Sequence, residues 1–195
     1  VRLVDPAIAT GNVDLILETH VNKLVTDSSG KKVIGVEVTQ KDETTTIKGE
    51  LFISSCGAIN SSALLLRSAN AKHPNGLGNN SSDQLGRNYM AHNNTAMMAV
   101  NPFKKNNVVF QKSLCINDFY LANGVKPYPL GNVQGLGKLQ GGMLTANMKG
   151  TPEWLMSWFA GRSSDWWIMS EDLPDPDNRV SLDSDGKIRL SYTSN

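Results

Sequence analysis

The stretch Leu51–Asn70, LFISSCGAINSSALLLRSAN, decides the reading of the fold. An apolar run stops at Ser, Ser, Cys, Gly and Ala, and an apolar helical pattern follows almost at once. Ala63, Leu64, Leu65 and Leu66 are strong helix formers, and Asn60, Ser61 or Ser62 can cap exposed N–H groups, which predicts a helix over residues 60–67. The whole is strand, tight turn, helix. Ligands of nucleotide-binding α/β proteins sit at such carboxyl ends of strands, and small residues there let a backbone approach. Close strand–helix packing with no ligand accounts for the same residues equally well. The stretch holds no GxGxxG, so it is not itself a pyrophosphate loop.

The residues before it alternate. Val13, Leu15, Leu17, Thr19 and Val21 point one way, while Asp14, Glu18 and His20 point the other, predicting a half-buried strand over residues 13–25. DSSGKK is a turn in which Gly30 takes positive φ, VIGVEVTQ a second strand, and KDETT the next turn. A third strand is expected over residues 45–53, completing an antiparallel meander.

Residues 71–94 are turn-rich and polar, a connection or domain boundary. Beyond them TAMMAV, NVVFQKSL and NDFYLA read as short strands, and YPLGNVQGLGKLQGG is dense in glycine. TPEWLMSWFAGR reads as a helix capped by Thr151 with Pro152 at its first position. WWIMSEDLP and the pair NRVSLD and KIRLSYT, joined through DSDG, close the chain with strands.

Composition narrows the class. The 195 residues are 39% hydrophobic, a globular balance. Lys and Arg number 19 against 18 Asp and Glu, a net charge of +1, which supplies no chain-wide field to hold nucleic acid or an anionic membrane. No apolar run reaches the length of a membrane span. Cys56 and Cys115 are far apart and give no CxxC spacing for a metal or dithiol site. The chain opens at Val1 without a signal-peptide pattern and reads as an internal piece of a longer protein.

Three blocks in this order, NVDLILETHVNKLVTDSSGKKVIGVEV, ELFISSCGAINSSALLLRSAN and QLGRNYMAH, resemble the glucose–methanol–choline (GMC) flavoprotein oxidoreductases. The second block is similar to a family signature in which Gly-Ala is followed by Ser-Pro, two aliphatic residues and Ser-Gly. Gly57, Ala58, Ser61, Leu64, Leu65 and Ser68 match it; Ser62, Ala69 and Asn70 depart from it. FQKSLCINDFYL, YPLGNVQGLGKLQ and SEDLPDPDNRVSLDSDGKIRLSYT resemble the family's substrate-side domain, so the likeness spans nearly the whole chain.

The resemblance implies an FAD enzyme that oxidises an alcohol by hydride transfer to the flavin, with a histidine as base. It implies a fold of α/β plus α+β type. Residues 1–91 would be the rear of a Rossmann-like FAD-binding domain with an antiparallel meander. Residues 92–195 would be the first part of an antiparallel-sheet substrate domain. The family's GxGxxG loop and its catalytic His, with a His or Asn partner, fall outside this sequence, so no catalytic role passes to His20, His73 or His92. Val21 matches the position whose backbone contacts the adenine of FAD. The turn Cys56, Gly57 and Ala58 matches a segment near the nucleotide end of the cofactor. The implied partners are a small alcohol and an electron acceptor, either oxygen or a quinone or cytochrome.

Other patterns have plainer readings. Asp14, Glu18 and His20 form a solvated strand face rather than a metal site. The acids Glu171, Asp172, Asp175 and Asp177 fail the calcium-loop spacing, and Pro174 and Pro176 mark an extended turn. Arg87 either holds its loop or approaches the cofactor, the loop being the favoured reading, and His92, which stands where the family commonly has a histidine, is read as making a structural hydrogen bond rather than as catalytic. Trp154 and Trp158, four apart, share a helix face that packs into the core. Cys56 is a small buried turn residue.

Overall fold

The computed structural model describes residues 2–108, 112–121 and 130–194. They form two compact units, Val1–Tyr89 with Pro174–Ser194, and Met90–Leu173. The final hairpin thus groups with the first unit, whereas the sequence placed residues 92–195 together.

The first unit opens with a short helix that the sequence did not signal, α1 (Val4–Ala9). Strands β1 (Thr19–Thr26), β2 (Val33–Gln40) and β3 (Glu43–Lys48) follow as an antiparallel meander in the order β1-β2-β3. The turn between β1 and β2 is built by Asp27, whose Oδ1 accepts from the N–H groups of Lys31 (3.1 Å) and Lys32 (3.3 Å), while Gly30 has φ +74°. The second turn is a two-residue hairpin with Lys41 and Asp42 both at positive φ, the geometry that follows strand twist.

That hairpin explains why the first strand is shorter than the alternation predicts. Pairing of β1 with β2 ends at Thr19 and Gln40, and the chain then turns back, leaving residues 13–18 no strand partner among the described residues. Gln40 Nε2 (2.8 Å) and Thr19 Oγ1 (2.9 Å) both donate to the Leu17 carbonyl and tie them to the sheet. Asp14 and Glu18 therefore lie outside the strand, Glu18 with φ +52°. The third strand shortens for the same reason. Gly35 of β2 meets Lys48, and residues 49–55 run past the end of that pairing with Leu51 and Ile53 exposed.

Helix α2 (Gly57–Arg67) starts three residues before the predicted Asn60. No side chain caps its first turn; Gly57, at φ +76°, swings the chain into the helix. Ala63 and Leu64 are buried against the sheet, with Val38 and Val180 the other buried apolar residues of the unit. The hairpin β8 (Arg179–Leu182) and β9 (Ile188–Ser191) is closed by Asp183, which accepts from the N–H groups of Asp185 and Lys187, repeating the Asp27 turn. Arg67 donates to the Gly186 carbonyl and fixes α2 to this hairpin.

The second unit is a four-stranded antiparallel sheet beside two helices. Strands β4 (His92–Val100), β5 (Cys115–Ile116), β6 (Asn132–Gly135) and β7 (Ser163–Glu171) lie in the order β4-β7-β6-β5. The strand expected at NVVFQKSL runs over residues 109–111, which lie outside the described residues; its described parts carry no strand. Residues 117–121 of NDFYLA are a turn after β5 rather than a strand, and Ala122 lies outside the described residues. Helix α3 (Gly141–Asn147), unannounced by the sequence, packs on α4 (Glu153–Ala160). A Cβ on Gly141 would stand 2.0 Å from Ser157 Oγ, so glycine is what allows that approach. The α4 cap also differs from expectation: Pro152 is the N-cap, and Thr151 Oγ1 donates back to the Met148 carbonyl. Met156 and Ala160 are buried, but Trp154 is 72% exposed, so the Trp154–Trp158 face is not core.

All described strand pairs are antiparallel, and the class is mixed α/β.

Candidate functional site

In the first unit, the β1–β2 sheet, the extended residues 50–56 and α2 enclose an open cavity of about 610 Å³. Its apolar wall is Val21, Leu24, Val33, Val36, Phe52 and Leu64; Lys31, Lys32 and Glu50 stand at the rim. Ser54 and Cys56 complete it at the head of α2. Ligand cavities of small molecules are typically about 300–1,000 Å³, apolar, with a few polar groups placed to orient the guest.

β1 is the edge strand here, with a β-bulge beside Val21. Val21 faces Val38 and Lys23 faces Glu37, leaving Asn22 as the extra residue. The Asn22 amide fills the gap by donating to Thr39 Oγ1 (2.8 Å). Bulges twist an edge strand and re-aim its backbone, and they are common beside functional sites. The position singled out for backbone contact is therefore on a strand edge that pairs with no other strand among the described residues, at the place where that edge bends.

Ser68 ties the two walls together. Its hydroxyl donates to the Leu64 carbonyl (2.6 Å) and accepts from the Leu24 N–H (2.8 Å), and the residue is 1% exposed. The sequence marked Ser68 only as a signature match; nothing local in it shows that its partner lies 44 residues upstream.

The expected site residues divide. Val21 and Cys56 line one cavity. Gly57 and Ala58 follow as the first residues of α2 and are not among its lining residues. A Cβ on Gly57 would meet nothing within 4 Å, so glycine is required by its positive φ and not by a close neighbour. Cys56 is exposed, not buried; its Sγ lies 3.9 Å from Ser54 Oγ, which reaches Ser61 Oγ at 3.2 Å. Residues that the sequence did not single out, Leu24, Val33, Val36 and Phe52, supply most of the apolar wall.

Away from the cavity, Arg87 holds its loop as expected. Its Nε donates to the Asp83 carbonyl (2.7 Å) and carboxylate (3.0 Å), and its Nη1 to the Pro176 carbonyl (2.7 Å). The Arg87 hydrogen bond is the largest cause holding the Asp83 carboxyl below its ordinary value of 3.8, with the Arg87 and Arg179 charges adding to it against partial desolvation. His92 is exposed and paired with Glu171 across β4 and β7. No cluster of three metal-ligating side chains occurs among the described residues.

Residues 2–94, which carry every element of this cavity, match the sequence model of the family described as GMC oxidoreductase. This N-terminal part of the chain, residues 2–94, belongs to the GMC oxidoreductases. No curated protein matches it. The N-terminal domain of GMC oxidoreductases is their FAD-binding domain, and the cofactor of this oxidoreductase is FAD. The residues present fit one end of that group. An apolar cleft beside a bent strand edge suits a flat heterocycle read by backbone, and the space over Gly57 is open.

Proposed function

We propose that this GMC oxidoreductase oxidises an alcohol, and that Val21 and Cys56 mark the adenosine end of its FAD site. The observation that carries the reading is that the two segments meet at one apolar cavity, the first on a bulged edge strand and the second at the head of a helix. In this reading the Val21 backbone reads the adenine edge whatever its side chain. Leu24, Val36, Phe52 and Leu64 exclude water from the ring faces, and the α2 N-terminus with Gly57 and Ala58 favours the polar oxygens that follow. FAD, when bound, supplies the hydride acceptor.

The unit Val1–Tyr89 with the β8–β9 hairpin then serves as the rear of the Rossmann-like FAD-binding domain, with residues 51–67 an unpaired segment, a turn and a helix. Met90–Leu173 serves as the first part of the substrate domain. The sequence holds no GxGxxG, and none of its three histidines, His20, His73 and His92, stands in a catalytic context.

The test is the visible spectrum of the protein from its complete reading frame, followed anaerobically across a panel of polyols, sugars, choline and aryl alcohols. A flavin spectrum bleached by one of them supports the reading. A bound flavin that no alcohol bleaches favours a family member retained for binding, and a protein that stays colourless with added FAD overturns both. Reoxidation by oxygen or by a quinone identifies the acceptor.

A further inference from the structure

The second unit carries a surface that the alcohol chemistry does not use. The turn after β4, NPFKKNN at residues 101–107, lifts Phe103 to 97% exposure. The presentation is built: Asn101 Oδ1 accepts from the Phe103 N–H (3.0 Å) and the Asn101 carbonyl from the Lys104 N–H (3.3 Å). The turn is also anchored, Asn101 N–H to the Arg162 carbonyl (3.0 Å) and Asn106 N–H to the Gly161 carbonyl (2.8 Å). Those anchors place it against the end of α4, where the Arg162 guanidinium lies 4.4 Å over the Trp158 ring and Trp154 stands one turn back.

Between the turn, the end of β4 and the start of β7 lies an open hollow of about 600 Å³. Lys104, Lys105 and Arg162 line it with Asn101, Asn106, Asn107 and Ser164, and no Asp or Glu does. The Nε of Arg162 is buried and has no hydrogen-bond partner among the described residues. The nearest acid on α4, Glu153, is at its opposite end. Three cations and a row of amides around a hollow recognise a phosphodiester. A fully exposed phenylalanine beside them, with tryptophans alongside, is the arrangement that partitions into a headgroup layer. The chain-wide charge of +1 does not reveal this local grouping of Lys104, Lys105 and Arg162.

We propose that this face docks the protein on an anionic lipid bilayer. Phe103 inserts at the interface, Lys104, Lys105 and Arg162 hold lipid phosphates in the hollow, and Trp154 and Trp158 settle at headgroup level.

The experiment is co-sedimentation of the full chain with phosphatidylcholine vesicles and with the same vesicles containing phosphatidylglycerol. Wild type is expected to pellet with the anionic vesicles only, and to be released in about 1 M NaCl, where the Debye length is about 3 Å. A basic side chain near an anionic surface contributes about 1 kcal/mol, roughly fivefold in partitioning, so Lys104→Ala with Lys105→Ala lowers binding about 25-fold. Phe103→Ala lowers it roughly tenfold. Lys187→Ala, an exposed lysine of the other unit, leaves it unchanged. All these side chains are solvent-facing, and circular dichroism checks that each variant is folded. Failure of wild type to pellet with anionic vesicles overturns the proposal, as do equal pelleting with both vesicle types, or unchanged binding of the Lys104/Lys105 variant.

Discussion

Ser68→Ala should damage the cavity between β1 and α2 without touching any residue that lines it. The Ser68 hydroxyl makes two hydrogen bonds, 2.6 Å to the Leu64 carbonyl and 2.8 Å from the Leu24 N–H. Each neutral bond is worth about 0.5–1.5 kcal/mol net, and a donor left unpaired under a packed helix costs about 1–3 kcal/mol. Leu64 loses little, since its carbonyl also accepts from the Ser68 backbone N–H. The Leu24 N–H loses its Ser68 Oγ acceptor, and alanine offers no replacement. The expected cost is about 2 kcal/mol, which for a chain of this length lowers the melting temperature by roughly 4–8 °C. Differential scanning calorimetry measures the shift, with the exposed Ser82→Ala as control. Because Leu24 is cavity wall, the variant should also retain less FAD through gel filtration. A melting temperature within about 1 °C of wild type would refute the argument that this hydroxyl joins β1 to α2.

Gly86→Ala should be more severe: its Cβ would stand 2.2 Å from the Val180 carbonyl oxygen at φ +80°, and strain plus overpacking cost about 3 kcal/mol, read by urea unfolding. Asp83→Asn should have a pH-dependent cost. The Asp83 carboxyl titrates below 3.8 in the folded chain, so its contribution is present above that value and is lost as pH falls through the folded value. Wild type and variant should thus differ at neutral pH and converge in strong acid; a difference that persists there contradicts the Arg87 pairing. Val21→Ala and Cys56→Ala should both keep their flavin, since in the proposed site the strand backbone rather than the Val21 side chain reads the adenine and Cys56 is only wall. Loss of most bound flavin in either, by absorbance ratio, would contradict that division of roles.

Much of the fold could be read from local chemistry. The turns DSSGK and DSDGK name themselves, because an Asp that accepts from backbone N–H groups and a Gly at positive φ need only neighbours in sequence. The bodies of β2, α2, α4, β7 and the last hairpin follow from period and propensity in the same way. Residues 13–18 alternate and residues 51–53 are an apolar run, as in strands, yet a strand needs a partner, and the pairing of β2 stops at Gln40 on one side and at Gly35 on the other. Trp154 failed for a related reason: helical spacing shows that two residues share a face, not what covers that face. At the site, Val21 and Cys56 were accessible through family resemblance. The Asn22 bulge and the Ser68 bridge depend on pairing across the sheet and on a contact spanning 44 residues, which no window of sequence contains.

The central claim, that Val21 and Cys56 mark the adenosine end of the FAD site, has a direct test in the chain's own cysteines. Cys56 is an exposed thiol in the cavity wall, and Cys115 is an exposed thiol in the other unit. Their alkylation by iodoacetamide can be followed together by peptide mass spectrometry in flavin-loaded protein, in stripped protein, and in stripped protein given FAD, ADP or FMN. The account predicts that FAD and ADP slow labelling of Cys56 several-fold, that FMN does not, and that Cys115 reacts alike throughout. Labelling of Cys56 that is indifferent to bound FAD, or shielded equally by FMN, would contradict it.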